Sequence, residues 1–337
     1  MLVEENALLI KDSAIYKPEE VGQDAGERTC LSFLTNSGIR LNLTEDQGIL
    51  VLREGVVQLV KAVDIVVGEK LVYTNGTLTD KPLRNMETID TTVLDKRNKP
   101  FTSPAVLCGK LAWLMGLYQG DGSTHRAGIR IAGNVNDIES LERANKFLKE
   151  LFDIDGTIYS RSVKSGKQAN NADLYASSRH LLRWLRLNNL TKNKTRFIEM
   201  PIHLREAGKS VLKEFIDGYA HADGCFKSRH LSFCTTSHAW SMQLLVALRA
   251  TGTDGKVSLM PPTASSLGTN MRYWIATRGG RDVERRYILR TTRKDYEDLD
   301  ANGMPTSFCD EVVEADNSTG RFYEVEGVDY LFNYPMI

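Results

Sequence analysis

No apolar run in these 337 residues approaches the roughly 20 needed to cross a bilayer, which excludes a transmembrane helix. The opening MLVEENALLIKD is too acidic, and its apolar stretch too short, for a secretory signal. Cysteine is sparse and unmatched. Cys30, Cys108, Cys225, Cys234 and Cys309 are odd in number and include no CxxC pair. That argues against a disulfide framework or a zinc site, and for reduced thiols in a cytoplasmic protein. Net charge is absent too: 43 Lys and Arg balance 43 Asp and Glu, which by itself weighs against a nucleic-acid partner. What remains is an ordinary globular composition, 42% hydrophobic and 26% charged, in a chain long enough for two domains or one with an insertion.

The neutrality is an average over opposed patches. Residues 179–213 hold nine Lys and Arg against two Glu, and residues 272–294 hold eight against two acids. The stretch that follows, DYEDLDANGMPTSFCDEVVEAD, carries eight acids and no base. A locally basic surface sets up the field that a polyanion follows. It also arises as a plain solvated helix face, and charge alone leaves both readings open.

Three segments differ in texture. Residues 1–100 lack helical periodicity and read as short strands: TCLSFLTNSGIRLNL, GILVLREGVVQLVKAVDIVVGEKLVY and TNGTLTD. Their β-branched runs are broken by Ser-Gly, Glu-Gly and Asn-Gly turns. The basic, proline-containing KRNKPFTSP reads as a linker. Residues 105–280 alternate helices with strands, and residues 295–337 return to strand-like text.

The middle segment is an internal repeat. Its first copy runs GDGSTHRAGIRIAGNVNDIESLERANKFLKELFDIDGTIYS, and its second runs ADGCFKSRHLSFCTTSHAWSMQLLVALRATGTDGKVSLMP. Each has an Asp-Gly helix end, a short strand, an amphipathic helix, a second Asp-Gly and another strand. A further strand follows, ADLYASS in one copy and MRYWIATR in the other. One copy alone would expose the apolar face of its sheet, so the halves are expected to pack about a pseudo-twofold axis.

Residues 111–123, LAWLMGLYQGDGS, and 215–226, FIDGYAHADGCF, each read as an apolar helix ending in Asp-Gly. Ala112, Gly116 and Gly120 lie four apart on one face, as do Gly218 and Ala222. Stripes of small residues let two helix backbones approach closely, which would bring the ends of the helices, and with them Asp121 and Asp223, together. A carboxylate at a helix C-terminus opposes the macrodipole by roughly 0.3–1 kcal/mol, and two side by side repel. A divalent cation removes both penalties. The carboxylates of Asp121 and Asp223 with the carbonyls of Gly120 and Ala222 are hard oxygen ligands suited to Mg²⁺, which could activate water for phosphodiester hydrolysis. A single Asp-Gly is also plain turn chemistry, with glycine just past the helix end; two copies at equivalent places favour the site.

These two stretches resemble the paired motifs of the LAGLIDADG homing endonucleases in their single-chain, two-motif form, over residues 105–290. The resemblance implies an α+β fold, a pseudo-twofold pair of αββαββα halves within an endonuclease domain of residues 101–294. The first half would span 105–200 and the second 208–294. Each half would present a curved sheet to the DNA major groove, and both strands would be cut across the minor groove to leave short 3′ overhangs. The motif's metal-binding last aspartate falls on Asp121 and Asp223. Gln119 and His221 occupy its earlier, non-catalytic acidic position, and Cys225 stands where serine is usual.

Such enzymes commonly carry a basic residue near each centre. LTKNKTRFIEMP resembles the family's lysine-containing block, which points to Lys194, with Lys192 and Arg196 next. In the second half only RTTRKDY is comparably placed, which points to Lys294. DNA contact would come from strand residues facing outward: Arg126, Arg130, Arg161, Lys164 and Lys167 in one half, Lys227, Arg229, Lys256, Arg272 and Arg278 in the other. Alternation in GIRIAG sets Arg130 opposite Ile129 and Ile131. Such cations read guanine edges or bind phosphates, and the sequence leaves both open. Gln168, Asn170 and Asn171 are base readers or an ordinary loop.

The outer segments resemble a degenerate intein (Hint) scaffold. In TNSGIRLNLTEDQGILVLREGVVQLVKAVDIVVGEKLVY, Gln47 stands where the catalytic histidine would be. RFYEVEGVDYLFNYPMI resembles the C-terminal block without its closing His-Asn. Splicing needs a nucleophile at the start and an asparagine to cyclise at the end; neither is visible, so no splicing is expected. Residues 1–100 and 295–337 are expected to pair into one small all-β domain with the nuclease inserted between them. The whole reads as a monomeric, Mg²⁺-dependent endonuclease making a double-strand break at a long site in double-stranded DNA. The rival is a cleavage-deficient DNA- or RNA-binding protein on the same fold, maturase- or transcription-factor-like. Aspartate at both motif ends favours the enzyme.

Overall fold

The computed structural model describes residues 1–90, 101–135, 138–160, 171–193, 197–227, 230–260, 272–277, 309–332 and 334–335. First along the chain come β1 (Leu2–Glu4), β2 (Leu9–Lys11), β3 (Ala14–Tyr16), the one-turn helix α1 (Pro18–Val21) and β4 (Gln23–Thr35). They lead into β5 (Arg40–Leu43), β6 (Gly48–Arg53), β7 (Val56–Lys61) and β8 (Lys70–Val72). The first repeat copy supplies α2 (Gly109–Asp121), β9 (Gly122–His125), β10 (Gly128–Asn134), α3 (Ile138–Phe152), β11 (Thr157–Ser160), β12 (Asn171–Ala176) and α4 (Arg179–Leu187). After the single turn α5 (Ile202–Arg205), the second copy supplies α6 (Lys209–Asp223), β13 (Cys225–Lys227), β14 (His230–Thr235), α7 (His238–Thr251), β15 (Gly255–Met260) and β16 (Arg272–Thr277). Last are β17 (Cys309–Glu324), β18 (Tyr330–Leu331) and β19 (Tyr334–Pro335).

The repeat is carried into topology. Both copies follow the order helix, strand, strand, helix, strand, strand. Their sheets, β11-β12-β10-β9 and β15-β16-β14-β13, place equivalent strands in equivalent positions. The chain divides into two units, one of Met1–Thr79, Thr195–Met200 and Phe226–Ile337, the other of Asp80–Lys194 and Pro201–Cys225.

In the first unit the two outer segments share a sheet. β17 pairs antiparallel with β4 from Val312↔Thr35 to Glu324↔Gln23, within the order β5-β4-β17-β8-β6-β7, and β1 adds to β17. Alternation makes one face of it core: Leu41 and Leu43 are buried, Arg40 is exposed and Asn42 half-buried. Asp12-Ser13 joins β2 to β3 and Glu54-Gly55 joins β6 to β7. Both pairs carry two positive φ values, the type I′ geometry whose twist matches the flanking strands. TNGTLTD, expected to be strand-like, is irregular instead. Its backbone is used elsewhere: Gly76 N–H donates to the Arg249 carbonyl at 2.7 Å and Leu78 N–H to that of Ala250 at 3.0 Å, satisfying the last turn of α7.

α7 is buried from Trp240 to Thr251, so it is a core helix and not an amphipathic one. It therefore buries an arginine, and the fold must pair it. Arg249 and Asp310, both fully buried, share hydrogen bonds of 2.8 and 3.2 Å. The Ser37 and Tyr334 hydroxyls donate to the same carboxylate at 2.7 and 2.6 Å, and the guanidinium lies 3.7 Å over the Tyr73 ring. This cluster ties α7 to both outer segments, with each buried charge answered as burial requires.

The second unit is built on α2 and α6. α2 is buried from Leu111 to Gln119, and its apolar residues lie on all sides. α3 is the amphipathic partner. Leu141, Ala144, Leu148 and Phe152 are buried on one stripe at three- and four-residue spacing, while Lys146 and Lys149 stay mostly in water. Ser178 caps α4 by accepting from Leu181 N–H at 3.2 Å. In β10 the alternation appears as expected: Ile129 and Ile131 are buried and Arg130 is half-buried. No described helix is long and apolar enough to cross a membrane.

Candidate functional site

The centre of the second unit is the contact between α2 and α6, and it is made by glycine. A Cβ on Gly116 would lie 2.1 Å from the Phe215 carbonyl oxygen, and one on Gly218 would lie 1.9 Å from that of Trp113. Neither position has room for any side chain, so the backbones meet directly. At the far end a Cβ on Gly120 would lie 2.2 Å from the Ala222 Cβ and 3.5 Å from a carboxylate oxygen of Asp223. The helices therefore run in the same direction, and their C-terminal ends coincide.

Neither Asp-Gly is a turn. Gly122 and Gly224 have extended backbones, with φ of −80° and −76°, and each helix passes straight into the next strand, with no loop after α2. Glycine is required for space, not for a left-handed conformation. A Cβ on Gly122 would meet Tyr118 at 2.2 Å, and one on Gly224 would meet the Ala220 carbonyl oxygen at 2.3 Å. The turn explanation of the two motif ends therefore fails, and the aspartates are left at a crowded helix junction.

Their electrostatics follow from that junction. Burial first, and the Asp223 charge second, push Asp121 from its ordinary 3.8 up to about 6. Asp223 keeps a water-facing side, yet the protein packed around its carboxyl pushes it up as well. Among the described residues, Lys192 answers the pair. Lys192 donates its Nζ to the Gly120 carbonyl; burial pulls its ammonium down while the charges of Asp223 and Asp121 hold it up. The loop that carries it is fixed by α2 itself: Gln119 Nε2 donates to the Leu190 carbonyl at 3.1 Å, and Lys192 N–H donates to the Tyr118 hydroxyl at 3.4 Å. Lys192 stands second to Lys194 on sequence grounds, and Gln119 has no role there. A glutamine two residues before Asp121, in an otherwise apolar helix, is the sequence signal that bears on it.

On the opposite flank, Asp217 accepts from Trp113 Nε1 at 2.7 Å, and burial raises its carboxyl. His221 Nδ1 donates to the Asp217 carbonyl at 2.8 Å. Arg143 covers the Trp113 ring at 4.1 Å. Beside Asp121 opens a cleft of about 280 Å³ that His221, Arg130 and Asp173 also line. Within it Arg130 makes an ion pair of 2.7 Å with Asp173.

Of the other candidate DNA contacts, Arg126 is exposed in the turn between β9 and β10, and Lys256 is exposed on β15. Asn171 opens β12 opposite Asn134. Lys227 and Arg272 belong to strands β13 and β16. Lys194, Arg196, Lys294, Arg161, Lys164, Lys167, Arg229, Arg278, Gln168 and Asn170 lie outside the described residues.

No protein-family model matches the chain. It is 32% identical over 136 residues to an A-type ATP synthase subunit from Pyrococcus abyssi (strain GE5 / Orsay). That match takes in 40% of this chain and only 12% of the length of that relative. Similar solved structures are LAGLIDADG proteins. Mesophilic variants of the homing endonuclease I-DmoI match 51% of this chain and 89% of theirs at 17% identity, with a TM-score of 0.36. I-WcaI bound to its DNA recognition sequence matches 55% and 85% at 14% identity and a TM-score of 0.33. The N-terminal LAGLIDADG domain of DUF199/WhiA matches 52% and 78% at 12% identity and a TM-score of 0.32. Structures of I-DmoI include complexes with DNA and Mn and with DNA and Ca.

The donor set at the helix ends can be tested against a metal on its own chemistry. Among the described residues, no group of three or more His, Cys, Asp or Glu side chains is placed to hold an ion, so a zinc-type shell is absent there. Two carboxylates and the Gly120 carbonyl are hard oxygens, and the carboxylates sit at raised proton affinity beside Lys192. Such a set fits a cation that keeps several waters and shares phosphate oxygens, as Mg²⁺ does.

Proposed function

We propose that this chain is a site-specific DNA endonuclease of the two-motif LAGLIDADG kind, hydrolysing phosphodiesters in both strands with Mg²⁺ and leaving short 3′ overhangs. The two repeat halves are taken to be related by a pseudo-twofold axis, so one chain carries both half-sites and acts as a monomer on a long double-stranded target. The outer segments are read as the remnant of an intein-like β domain that does not splice. One observation carries the nuclease reading: side-chain-free contact between α2 and α6 forces Asp121 and Asp223 together at a shared helix end, where burial and mutual repulsion lift Asp121 to about 6. A fold gains nothing from such a placement unless a cation is to be held there.

When bound, a divalent ion would supply Lewis acidity and a water of lowered pKa. Asp121, Asp223 and the carbonyls of Gly120 and Ala222 would hold it, and Asp121 ionises to do so as pH rises through about 6. Lys192, fixed through Gln119 and Tyr118, puts a positive charge beside the reacting phosphate, where charge develops as the bond breaks. The backbone-to-backbone helix contact keeps the carboxylates from swinging apart, so little reorganisation accompanies the reaction. Lys194 and Lys294 remain further candidates for that role.

A plasmid carrying a candidate host site, incubated with the protein and either Mg²⁺ or EDTA, tests this. Linear product only with Mg²⁺ supports the reading, and Asp121→Asn should abolish it while DNA affinity stays within a few-fold. Binding without cutting in either condition would leave the cleavage-deficient alternative. Cutting that survives Asp121→Asn would remove the site assignment.

A further inference from the structure

His221 borders the cleft beside Asp121, and the nuclease reading gives it no task. It stands at the motif position that the sequence resemblance marks as non-catalytic, yet its surroundings are those of a ligand. Nδ1 donates to the Asp217 backbone carbonyl at 2.8 Å. A carbonyl can only accept, so the proton of the neutral ring sits on Nδ1 and the lone pair on Nε2. Nε2 has no hydrogen-bond partner among the described residues. The side chain is only 11% exposed, and its ring meets that of Trp113 edge-on with centroids 5.4 Å apart. The imidazole is held in place with one nitrogen unspent.

The Asp217 carboxylate is a second, independent signal. Its Oδ2 accepts from Trp113 Nε1 at 2.7 Å and lies 3.5 Å from Arg143. Its Oδ1 is buried without a hydrogen-bond partner, 3.7 Å from His221 Nδ1. A buried carboxylate oxygen left unpaired is costly. Positive charge drawn onto the imidazole offsets that cost, and a cation on Nε2 supplies it. A histidine whose Nδ1–H is fixed by a carbonyl, with a carboxylate beside it, has the usual support of a metal-bound imidazole.

The two sides of the helix junction are also unequal. Lys192 holds the Gly120 carbonyl, whereas Asp121 and Ala222 share the His221 cleft, which no described lysine lines.

We propose that His221 Nε2, the Asp121 carboxylate and the Ala222 carbonyl form a cation position of mixed nitrogen and oxygen donors that prefers a first-row transition ion to Mg²⁺, with Asp217 positioning the ring. The site rests on the nuclease reading for its two oxygen ligands. Those oxygens admit Mg²⁺, which takes oxygen and keeps its waters. The imidazole adds affinity for ions that also take nitrogen.

Calorimetric titration of the metal-free protein, without DNA, with Co²⁺ and separately with Mg²⁺ tests the preference. Pulsed EPR of the Mn²⁺-loaded protein tests the ligand. Co²⁺ should bind at least about 10-fold more tightly than Mg²⁺, and equal affinities would overturn the preference. His221→Gln should weaken Co²⁺ binding by about 10- to 100-fold and leave Mg²⁺ within a few-fold. Asp217→Asn keeps the ring but removes the charge beside it, and should weaken Co²⁺ binding by about 10-fold; an unaltered affinity there removes Asp217 from the site. The echo of bound Mn²⁺ should carry the nitrogen modulation of a coordinated imidazole, which His221→Gln should lose. Wild-type protein without that modulation overturns the site and requires no variant to fold, as does Co²⁺ affinity unchanged in His221→Gln. The two readings fail separately. Nitrogen-ligated Mn²⁺ in a protein that never cuts DNA keeps the site and removes the nuclease; Mg²⁺-dependent cutting with no nitrogen modulation does the reverse.

Discussion

Asparagine at position 121 should make the metal-free protein more stable as it makes it inactive. Burial and the Asp223 charge hold the Asp121 carboxyl at about 6 in the fold, against 3.8 ordinarily. A group whose folded value is raised supports the fold while protonated. Its contribution is intact below 3.8 and is lost as pH rises through about 6. At about 1.36 kcal/mol per tenfold change in proton affinity, full ionisation weakens the metal-free protein by about 3 kcal/mol. Asparagine matches the carboxyl in size and carries no charge, so Asp121→Asn escapes that loss. In EDTA at pH 8 the variant should exceed wild type by up to about 3 kcal/mol, and at pH 4 by only about 0.5 kcal/mol. Urea unfolding of both proteins across that pH range measures the gap. Saturating Mg²⁺ should close or reverse it, because an ion at about 100 times its dissociation constant adds about 2.7 kcal/mol to the wild type and little to the variant. A variant less stable than wild type at pH 8, or a gap that ignores pH, would refute the strained carboxylate pair.

Three further outcomes follow from the packing and the charge placement. Gly218→Ala puts a methyl group 1.9 Å from the Trp113 carbonyl oxygen, so the helices must part; urea unfolding should show a loss of at least about 3 kcal/mol. Lys192→Met removes the cation answering two carboxylates. Mg²⁺-dependent cleavage should fall by about 10²-fold or more, and the acid limb of its pH–rate profile should move up because the Lys192 charge now holds Asp121 down. Arg249→Met removes the buried countercharge of Asp310, which should lower stability by about 3–5 kcal/mol, while a second change, Asp310→Asn, should recover part of that loss. Chemical denaturation reads both, and a double variant no better than the single would show that the pair is not the cause.

What the sequence makes legible is what repeats. The four-residue spacing of Ala112, Gly116 and Gly120, and of Gly218 and Ala222, announces a close helix contact because the absence of side chains is itself a pattern. The alternation around Arg130 and the duplicated strand order are equally local. Illegible features are pairings between distant segments. Nothing in TNGTLTD reveals that Gly76 and Leu78 cap α7, since a backbone donor carries no residue identity. Nor can composition tell that Arg249 in an apolar helix meets Asp310 about sixty residues later. The choice of lysine is illegible for a similar reason, and Lys194 lies outside the described residues. In KNK, Lys192 and Lys194 are chemically equal, and only the Gln119 and Tyr118 contacts with the loop single out Lys192.

The repeat supplies two equivalent helix ends, and its two copies differ in the residues beside the aspartates. Gln119 and His221 occupy the same place, two residues before each aspartate, on helices that touch. Yet Gln119 is buried and spends its amide on the loop that delivers Lys192, whereas His221 turns to Asp217 and the cleft of Arg130. The glycine contact cannot tolerate such divergence, because any side chain at Gly116 or Gly218 would strike backbone. Positions one turn away can, because they meet side chains and loops that move with them. Rigidity where the helices meet and freedom beside the aspartates are thus consequences of the same packing. Among the described residues, that packing sets the Lys192 ammonium beside both carboxylates.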